Sequence, residues 1–388
     1  MDAGLGEVLV VGAGPVGAVC ALALREQGVT ARVLEAQPEG VRGDTRTLAL
    51  AHGSRLILER LGVWGRLNDV TPITRIHISQ RGALGVTRLN ADALQVPALG
   101  YVLPYAELTA ALKAALAEAG VAVEYGVAVA RIDSTADAAT LTTADGRVLA
   151  TPLAVVADGG RGGHALSARA APKPKFERDY DQMAVVCDVQ TELPHAHQAF
   201  ERFTPDGPAA LLPKGDRYAL VWTASRADAE RIAALSDTEF LAALQRHFGG
   251  RQGRFLSASP RKTFPLKLAY TGSEAADRVV RIGNAAQTLH PVAGQGFNIG
   301  LRDAWELAAL AGDTPGEALG SAAMLAAYAR GRRADVVGGL GFTDFLVRTF
   351  SNDFGPLRHA RGLGLLALEA FPPLKTFVAR RMMFGARG

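Results

Sequence analysis

The sequence predicts an α/β protein with a Rossmann-like dinucleotide-binding domain, an inserted antiparallel β-sheet domain and a helical C-terminal tail. Three observations predict this fold class. A strand, a glycine-rich turn and a helix open the chain, alternating apolar and polar residues mark strands in its middle, and a second glycine-rich loop leads into a helix near residue 299. Strands that alternate with helices around glycine turns are typical of α/β domains.

The first of these patterns is a dinucleotide fingerprint. A strand at residues 8–11 runs into the turn at residues 12–17, and a helical pattern follows over residues 18–27. The three glycines permit the tight turn, the approach of a pyrophosphate and the packing of the helix on the strand, in that order. The next strand, residues 31–34, is followed by an acid that lies 18 residues after the last glycine, where ribose hydroxyls need an acceptor. The predicted dinucleotide contacts are Gly12, Gly14, Gly17 and Glu35.

The second glycine-rich loop, residues 283–298, lies between a strand predicted at residues 279–282 and a helix predicted from Ile299. Glycine and proline let the backbone lie close against a flat ligand. A helix start offers N–H groups to the negative charge that a reduced isoalloxazine ring accumulates. The loop is therefore interpreted as the site for the reactive end of a flavin, and the alternative is a plain turn before a helix. The residues assigned to this contact are Gly283, Asn284, Gly294, Gly296, Phe297 and Asn298.

Composition sets the broad class of the protein. With 388 residues, 48% of them hydrophobic, the chain can form two domains. It has no run of 18 apolar residues, and acids precede the first strand, so we expect a cytoplasmic protein without a signal peptide. Cys20 and Cys187 are expected to be core thiols. His195 and His197 form a short pair without a visible third ligand, so no metal site is predicted. The sequence has no basic patch interleaved with aromatic residues, so it gives no indication of nucleic-acid binding.

Hydrophobic periodicity divides the chain into segments. Helices are predicted at residues 54–61, 106–119 and 236–248, and Ser236 with Glu239 forms a capping pattern for the last of them. Alternating strands are predicted at residues 75–78 and 85–89 and again from residue 182 to 223. The predicted domains are a discontinuous flavin-binding domain of residues 1–72, 98–172 and 265–335, a substrate domain of residues 73–97 and 173–264, and a helical C-terminal segment of residues 336–388.

The predicted C-terminal segment is basic and rich in phenylalanine. Residues 336–388 hold seven of the fifteen phenylalanines and an excess of four positive charges, equal to the net charge of the whole chain. Such a helical segment is suited to a membrane surface, an apolar substrate or a partner protein. The alternative is that the aromatic side chains cap the core, as apolar stripes of helices usually do.

Four motifs together resemble the single-component FAD-dependent aromatic hydroxylases. They are the glycine fingerprint with Glu35, residues 44–50, residues 157–159 and the loop at residues 283–298, and they are spread along almost the whole chain. Residues 79–82 and 200–208 lie outside the cofactor motifs and resemble more narrowly the ubiquinone-biosynthesis branch that hydroxylates 2-polyprenyl-6-methoxyphenol. The resemblance implies an FAD-binding Rossmann-like domain, a β-rich substrate domain, and NADPH or NADH with O2 as co-substrates.

The resemblance also assigns individual residues. It places Arg46 near the pyrophosphate and ribityl chain, and Asp158 in a motif shared by FAD and pyridine-nucleotide contacts; the alternatives are a surface ion pair and a plain turn. Asn284 stands where the family has aspartate, and it can bind a hydroxyl without bringing charge. The serine and arginine that follow the Asp-Gly pair in the family are replaced by Gly162 and Ala165, which leaves open whether this motif contacts the nicotinamide nucleotide.

The implied reaction is hydroxylation of a polyprenyl phenol, which needs a proton acceptor near the phenol hydroxyl. His290, followed by Pro291 in the flavin loop, is the candidate; the alternative is that His290 only binds backbone there. The implied partners are the polyprenyl phenol, other ubiquinone-biosynthesis proteins or a lipid carrier, and the surface of the inner membrane. Two other functions stay open at this stage: a related hydroxylase acting on another ring position or on a small soluble phenol, and an FAD-bearing structural subunit.

Overall fold

A computed structural model describes residues 6–40, 46–82, 85–160, 165–166, 174–205, 207–289, 294–350 and 355–387. Its strands are β1 (Val8–Val11), β2 (Ala31–Glu35), β3 (Thr47–Ala51), β4 (Thr71–Ile73), β5 (Arg75–Gln80), β6 (Val86–Asn90), β7 (Gly100–Pro104), β8 (Ala122–Tyr125), β9 (Val129–Ser134), β10 (Ala139–Thr143), β11 (Val148–Thr151), β12 (Ala154–Val156), β13 (Ala165–Leu166), β14 (Phe176–Thr191), β15 (Gln198–Thr204), β16 (Gly207–Lys214), β17 (Arg217–Ser225), β18 (Phe255–Ala258), β19 (Lys262–Tyr270), β20 (Glu274–Ala276), β21 (Val279–Arg281) and β22 (Gln287–Thr288). Its α-helices are α1 (Pro15–Glu26), α2 (His52–Arg60), α3 (Tyr105–Glu118), α4 (Arg226–Ala234), α5 (Asp237–Phe248), α6 (Gln295–Gly312), α7 (Ala322–Phe350), α8 (Gly355–Ala370) and α9 (Pro372–Phe384).

A six-stranded sheet forms the centre of the cofactor half. Its order is β20-β21-β12-β1-β2-β8, and all neighbours are parallel except β20 and β21. All four residues of β1 are buried, because helices such as α1 and α6 cover the sheet. Parallel strands covered on both faces are nearly continuous in apolar residues. The predicted α/β fold class is confirmed.

A second, larger sheet carries the inserted strands. Its order is β22-β19-β14-β17-β16-β15-β5-β6, with β18 paired to β14, and its neighbours are antiparallel except β15 and β5. The side chains of one face pack with α4 and α5 in a core that contains Tyr218, Trp222 and Phe240. Residues of the opposite face, such as Ala210 and Val221, line a large cavity.

Two smaller sheets complete the described strands. One has the order β11-β10-β9-β13. The other, β3-β7-β4, was not predicted from the sequence, and it lies between the flavin loop and the large sheet. Its strands are short and join residues far apart in the chain, so no local hairpin signal indicates them.

The predicted helices are present with boundaries within two residues for α2, α3 and α5, and the Ser236–Glu239 capping box is formed. The prediction that the helix after the flavin loop starts at Ile299 is wrong, because α6 begins at Gln295. Gly294 caps it with φ +60°, a left-handed conformation that favours glycine. The start of α6 is therefore not recognisable from the glycine-rich sequence Gly294-Gln295-Gly296.

Two elements of the structure cross boundaries of the predicted domains. Helix α7 crosses the boundary between residues 335 and 336, where the C-terminal segment is predicted to begin, and β19 crosses the predicted boundary between residues 264 and 265. The division of the chain into domains stays a prediction.

No single helix of the described residues has the length and apolar character needed to cross a membrane. Residues 359–370 of α8 together with α9 pass that test as a pair, but a bend of 98° separates them.

Candidate cofactor and substrate site

One cavity of about 1840 Å³ lies where the parallel sheet, the large sheet and helices α7–α9 meet. Residues of the glycine fingerprint line one end of the cavity, and apolar side chains line the other end. Pockets for single small ligands commonly measure about 300–1,000 Å³. This cavity is therefore large enough for two ligands side by side.

The three fingerprint glycines have different surroundings. A Cβ on Gly12, which has φ +105°, would lie 2.8 Å from the oxygen of Ala157, and a Cβ on Gly17 would lie 2.0 Å from the oxygen of Gly12. A Cβ on Gly14 would meet no atom within 4 Å. Gly14 precedes the first turn of α1 and faces the cavity. The first and third glycines thus permit packing, and the second leaves open a place at a helix N-terminus that suits a pyrophosphate.

The Glu35 carboxylate lies on the wall of the same end of the cavity. One of its oxygens accepts a hydrogen bond from the Ala13 N–H at 2.7 Å, and the other accepts one from the Gln37 N–H at 2.9 Å. These bonds hold the carboxylate against the glycine turn. A carboxylate has about four acceptor positions, so positions remain for ribose hydroxyls.

Arg46 and Asp158 both line the cavity. The Arg46 guanidinium lies 5.7 Å from the centre of the Tyr105 ring, and the Asp158 Oδ1 accepts a hydrogen bond from the Gly160 N–H at 2.9 Å. Behind them, burial lowers the pKa of Arg281, and the negative charge of Asp158 opposes this shift. Arg46 and Asp158 therefore add a cation and an anion to the cavity wall that already includes Glu35.

The flavin loop approaches the cavity through several of its predicted residues. Gly283 has φ +58°, and its N–H donates to Asp303 Oδ2 at 3.1 Å. Asn284 lies exposed on the cavity wall in a short 3-10 helix of residues 283–285. Gly296 and Phe297 lie in the first turn of α6, also on the wall. His290 and Pro291 lie outside the described residues.

Asn298 differs from the other predicted contacts because its side chain is engaged by the protein. Its Oδ1 accepts hydrogen bonds from the Ala51 N–H and the Ser54 hydroxyl, both at 2.7 Å. Its Nδ2 donates to the oxygens of Ala49 at 3.1 Å and Gly294 at 2.7 Å. This side chain uses two donors and two acceptor positions. Asn298 therefore ties the start of α6 to β3 and acts as a positioning residue.

A buried ion-pair network below the loop was missed by the sequence analysis. Arg332 bonds to Asp303 Oδ1 and to Asp335 Oδ2, both at 2.8 Å, and Arg302 bonds to Asp335 Oδ2 at 2.7 Å. Asp303 also accepts hydrogen bonds from the Gln287 amide at 2.6 Å and from the flavin loop. Burial raises the pKa of the Asp303 carboxyl, while Arg332 opposes the shift. We name these four charged residues the α6–α7 network.

The α6–α7 network connects the loop to the C-terminal helices, because the Ala386 N–H donates to Asp335 Oδ1 at 3.1 Å. One sequence signal points to it: acids and arginines occupy positions inside otherwise apolar helical patterns. Which of them would pair could not be read from the spacing. Asp303 and its partner Arg332 lie on different helices.

The other end of the cavity is apolar. Its wall consists of the inner face of the large sheet and the inner faces of α7, α8 and α9. Glu201 on β15 and Arg361 on α8 are the charged residues that the described chain contributes to this end. The lining side chains include Ile76, Ile78, Leu212, Val221, Phe342, Leu346, Leu365, Val378 and Met382.

The histidine pair and the two cysteines lie away from this cavity lining. His195 Nε2 is 2.7 Å from the oxygen of Gly215, in a turn of the large sheet. Burial raises the pKa of each cysteine thiol to about 12. The prediction that Cys20 and Cys187 are core thiols is confirmed, since both are buried and free.

The cofactor end fits FAD. One continuous wall contains four features of this end. They are the free space at Gly14, the N-terminus of α1, the N-terminus of α6 and the carboxylate of Glu35. Helix N-termini attract phosphate and developing negative charge, and an acid binds ribose hydroxyls. The residues at this end therefore have the chemical groups that a pyrophosphate, a ribose and a reducible ring each require.

Comparisons with known proteins agree with this geometry. Residues 6–338 match the family model described as the FAD binding domain. The chain is 35% identical over 387 residues to ubiquinone hydroxylase UbiL of Rhodospirillum rubrum, covering 97% of this chain and 89% of that one. It is 31% identical over 380 residues to 3-demethoxyubiquinol 3-hydroxylase of Escherichia coli, covering 95% and 96%. The structure of p-nitrophenol 4-monooxygenase PnpA from Pseudomonas putida DLL-E4 superposes over 100% of both chains with a TM-score of 0.77 at 17% identity, which shows a shared fold.

Proposed function

Since the chain belongs to the family of FAD-binding monooxygenases, we propose that its substrate is a polyprenylated phenol of ubiquinone biosynthesis, namely 2-polyprenyl-6-methoxyphenol. The enzyme is an FAD-dependent aromatic-ring hydroxylase that uses NADPH or NADH and O2. The observation that carries the choice of substrate is the apolar end of the cavity, which continues from the flavin loop toward α8 and α9.

Each half of the cavity has a separate task in this proposal. When bound, FAD supplies the electron transfer and the activation of oxygen. Gly14 would leave room for the pyrophosphate at the start of α1, Gly12 and Gly17 keep the turn tight, and Glu35 would bind the ribose. Gly294, Gly296 and Phe297, at the N-terminus of α6, would line the site of the ring. The apolar end holds the phenol and excludes water from it, which prevents side reactions.

The prenyl tail explains why so much of the cavity is apolar. Each CH2 group moved out of water contributes about 0.8 kcal/mol. The side chains that would surround the tail come from α7, α8 and α9, among them Phe345, Leu368, Leu374, Val378 and Met382. A small soluble phenol would leave this wall without a partner.

The same helices expose apolar side chains, and we infer that they dock on an anionic membrane surface. Phe371, Leu374 and Phe377 are 64%, 49% and 64% exposed and recur every three residues, so they share one face at the start of α9. Residues 336–388 carry the chain's excess positive charge. Apolar side chains combined with positive charge are the pattern of interfacial helices. Docking would let the tail pass from the lipid into the cavity.

The docking inference is tested by sedimentation of the FAD-loaded protein with vesicles that contain anionic lipid. Phe371→Asp with Phe377→Asp should abolish sedimentation, whereas Leu193→Asp, at a residue 50% exposed in the connection between β14 and β15, should not. Point variants are preferred to deletion of residues 336–388, because Met383 and Ala379 in that stretch are buried against other elements. Equal sedimentation of all three proteins would refute docking by α9.

The substrate is tested by expression of the chain in cells that lack the 2-polyprenyl-6-methoxyphenol hydroxylase, with quinone intermediates identified by mass spectrometry. Restored ubiquinone is the expected result. Gly296→Trp, which fills the space in front of α6, should fail to restore it. Rescue by Gly296→Trp would instead support the reading of a structural subunit without catalysis.

One observation favours a second candidate reaction. The relatives named above are hydroxylases of ubiquinone or of demethoxyubiquinol by name. The alternative is therefore hydroxylation of another ring position of a ubiquinone precursor. Failure of the rescue by an FAD-loaded protein, together with rescue of a strain blocked at a different hydroxylation, would establish that alternative.

A further inference from the structure

We infer that Glu201 is the catalytic base that accepts the proton of the phenol hydroxyl, an inference that rests on the proposed function. It concerns the apolar end of the cavity, where the sequence analysis had placed no acid. The proton acceptor predicted from the sequence, His290, lies outside the described residues, so the choice of Glu201 depends on the cavity wall alone.

Glu201 lies in the middle of the inner face of the large sheet. It is paired with Ala210 on β16 and with Ile78 on β5. Beyond Ala210, the next residue across the sheet is Val221 on β17. All three neighbours are apolar and line the cavity. A single carboxylate therefore projects between apolar neighbours, on the strand face that alternation directs to the cavity.

The carboxylate has no partner in the described part of the chain. No hydrogen bond or ion pair joins it to another described side chain or backbone group. Burial of a carboxyl group without a partner is costly, and native structures rarely keep such a group without a function. The side chain is accessible from the cavity, so a ligand there can satisfy it.

The other acids of the cavity wall are engaged elsewhere. Glu35 and Asp158 bind backbone N–H groups at the cofactor end. Among the cavity-facing residues of β5, β16, β17, α7, α8 and α9 that the structure describes, Arg361 is the one titratable group, and it donates to the oxygen of Thr349 at 2.8 Å. His77 and Arg202 lie at alternate positions of β5 and β15, on the opposite face of the sheet.

The chemistry suits a base of this kind. Burial raises the pKa of Glu201 to about 8. A general base acts best when its pKa is near the working pH, and a phenol has a pKa of about 10. The phenol O–H bond breaks, the proton moves to a Glu201 oxygen, and the electron pair stays on the phenol oxygen, where it enriches the ring. When a hydroxyl is transferred to the ring carbon, that carbon would lose its hydrogen as a proton. Of this proton and the one held by Glu201, one restores the phenol O–H and the other neutralises the oxide charge that the transfer leaves behind.

The test compares the FAD-loaded wild-type enzyme with Glu201→Gln, which keeps the shape of the side chain but removes the base. The probes are 2-farnesyl-6-methoxyphenol and its O-methyl ether, which has no proton to give. Binding is followed by the change in flavin absorbance, and product by mass spectrometry, from pH 6 to 10. Glu177→Gln, a change at an exposed acid of β14, is the matched control.

In the wild type, the preference for the phenol over its ether should change through about pH 8, and product formation should rise over the same range. Glu201→Gln should lose both pH dependences and form product at least about 100-fold more slowly while NAD(P)H still reduces the flavin. Glu201→Asp, with an acid one methylene shorter, should keep a pH step. Glu177→Gln should behave as wild type.

Two outcomes separate this inference from the proposed function. Product formation by Glu201→Gln at the wild-type rate, with the wild-type pH profile, would overturn the role of Glu201 and leave the hydroxylation intact. If the wild type prefers the phenol through Glu201 but makes no hydroxylated product, the phenol contact stands and the proposed reaction is overturned.

Discussion

The two ends of the cavity differ in whether backbone or side chains form the wall. The cofactor end is formed largely by backbone, with glycines at positions where a Cβ would collide with other backbone, as at Gly12 and Gly17. The substrate end is formed by side chains from strands and helices that are far apart in sequence. The first end is fixed by what the backbone allows, whereas the second depends on which side chains the fold brings together. Substitutions at the two ends should therefore differ in their effects on stability and on ligand binding.

The largest effect is expected from Arg332→Met, which removes the central cation of the α6–α7 network. Asp303 and Asp335 would be left as buried charges without their shared partner. Breaking a buried ion pair in this way costs about 3–5 kcal/mol. The free energy of unfolding in a chemical denaturant should fall by that amount, and FAD content should fall with it because Asp303 supports the flavin loop.

The exposed Arg330 on the same helix provides the control. Arg330→Met should change the free energy of unfolding by less than about 0.5 kcal/mol. If Arg332→Met proved equally mild, the α6–α7 network would not support the cofactor end, and the contrast between the two ends would need another explanation.

A smaller effect is expected from a pair of glycine variants at the cofactor end. Gly17→Ala places a methyl group 2.0 Å from the oxygen of Gly12 and should lower the free energy of unfolding of the FAD-free protein by about 1–3 kcal/mol. Gly14→Ala meets no protein atom within 4 Å, so it should keep that stability and lose FAD affinity alone. Denaturation without FAD and titration with FAD measure the two effects.

A loss of stability in Gly14→Ala as large as that in Gly17→Ala would contradict this assignment of roles. It would mean that the second glycine is needed for packing rather than for the approach of a pyrophosphate.

The smallest effect at neutral pH is expected on the outer face of the substrate sheet. His247 packs against Trp222, and burial lowers its pKa to about 3. An unfolded chain binds this proton near pH 6.5, so its stabilising contribution is complete above pH 6.5 and is lost as the pH falls toward 3. His247→Leu should remove up to about 1.4 kcal/mol per pH unit from the slope of unfolding free energy in that window.

The comparison variant is His359→Leu on α8, which changes an exposed histidine. It should keep the wild-type slope, and FAD binding at pH 7 should be unchanged in both variants. A His247→Leu protein with the wild-type slope would show that other groups cause the acid dependence.

How much the sequence could predict follows the same division. The strand, turn and helix from Val8 to Glu26 were predicted because only glycine tolerates those backbone contacts, and that requirement leaves a mark in the sequence. Glu201 left no such mark: its apolar neighbours come from β5 and β16, and pairing across a sheet cannot be read from one strand. The Asp303–Arg332 pair was missed for the same reason, since its members become neighbours only when α7 packs on α6.

The bond from Ala386 to Asp335 has a consequence for the making of the protein. Strand β1, near the beginning of the chain, pairs with β12, whereas Asp335 of the α6–α7 network bonds to residue 386. A ribosome releases these segments in order, and contacts between distant segments form late. The bond between residue 386 and Asp335 therefore forms only after residue 386 has left the ribosome, later than the pairing of β1 with β12 can begin.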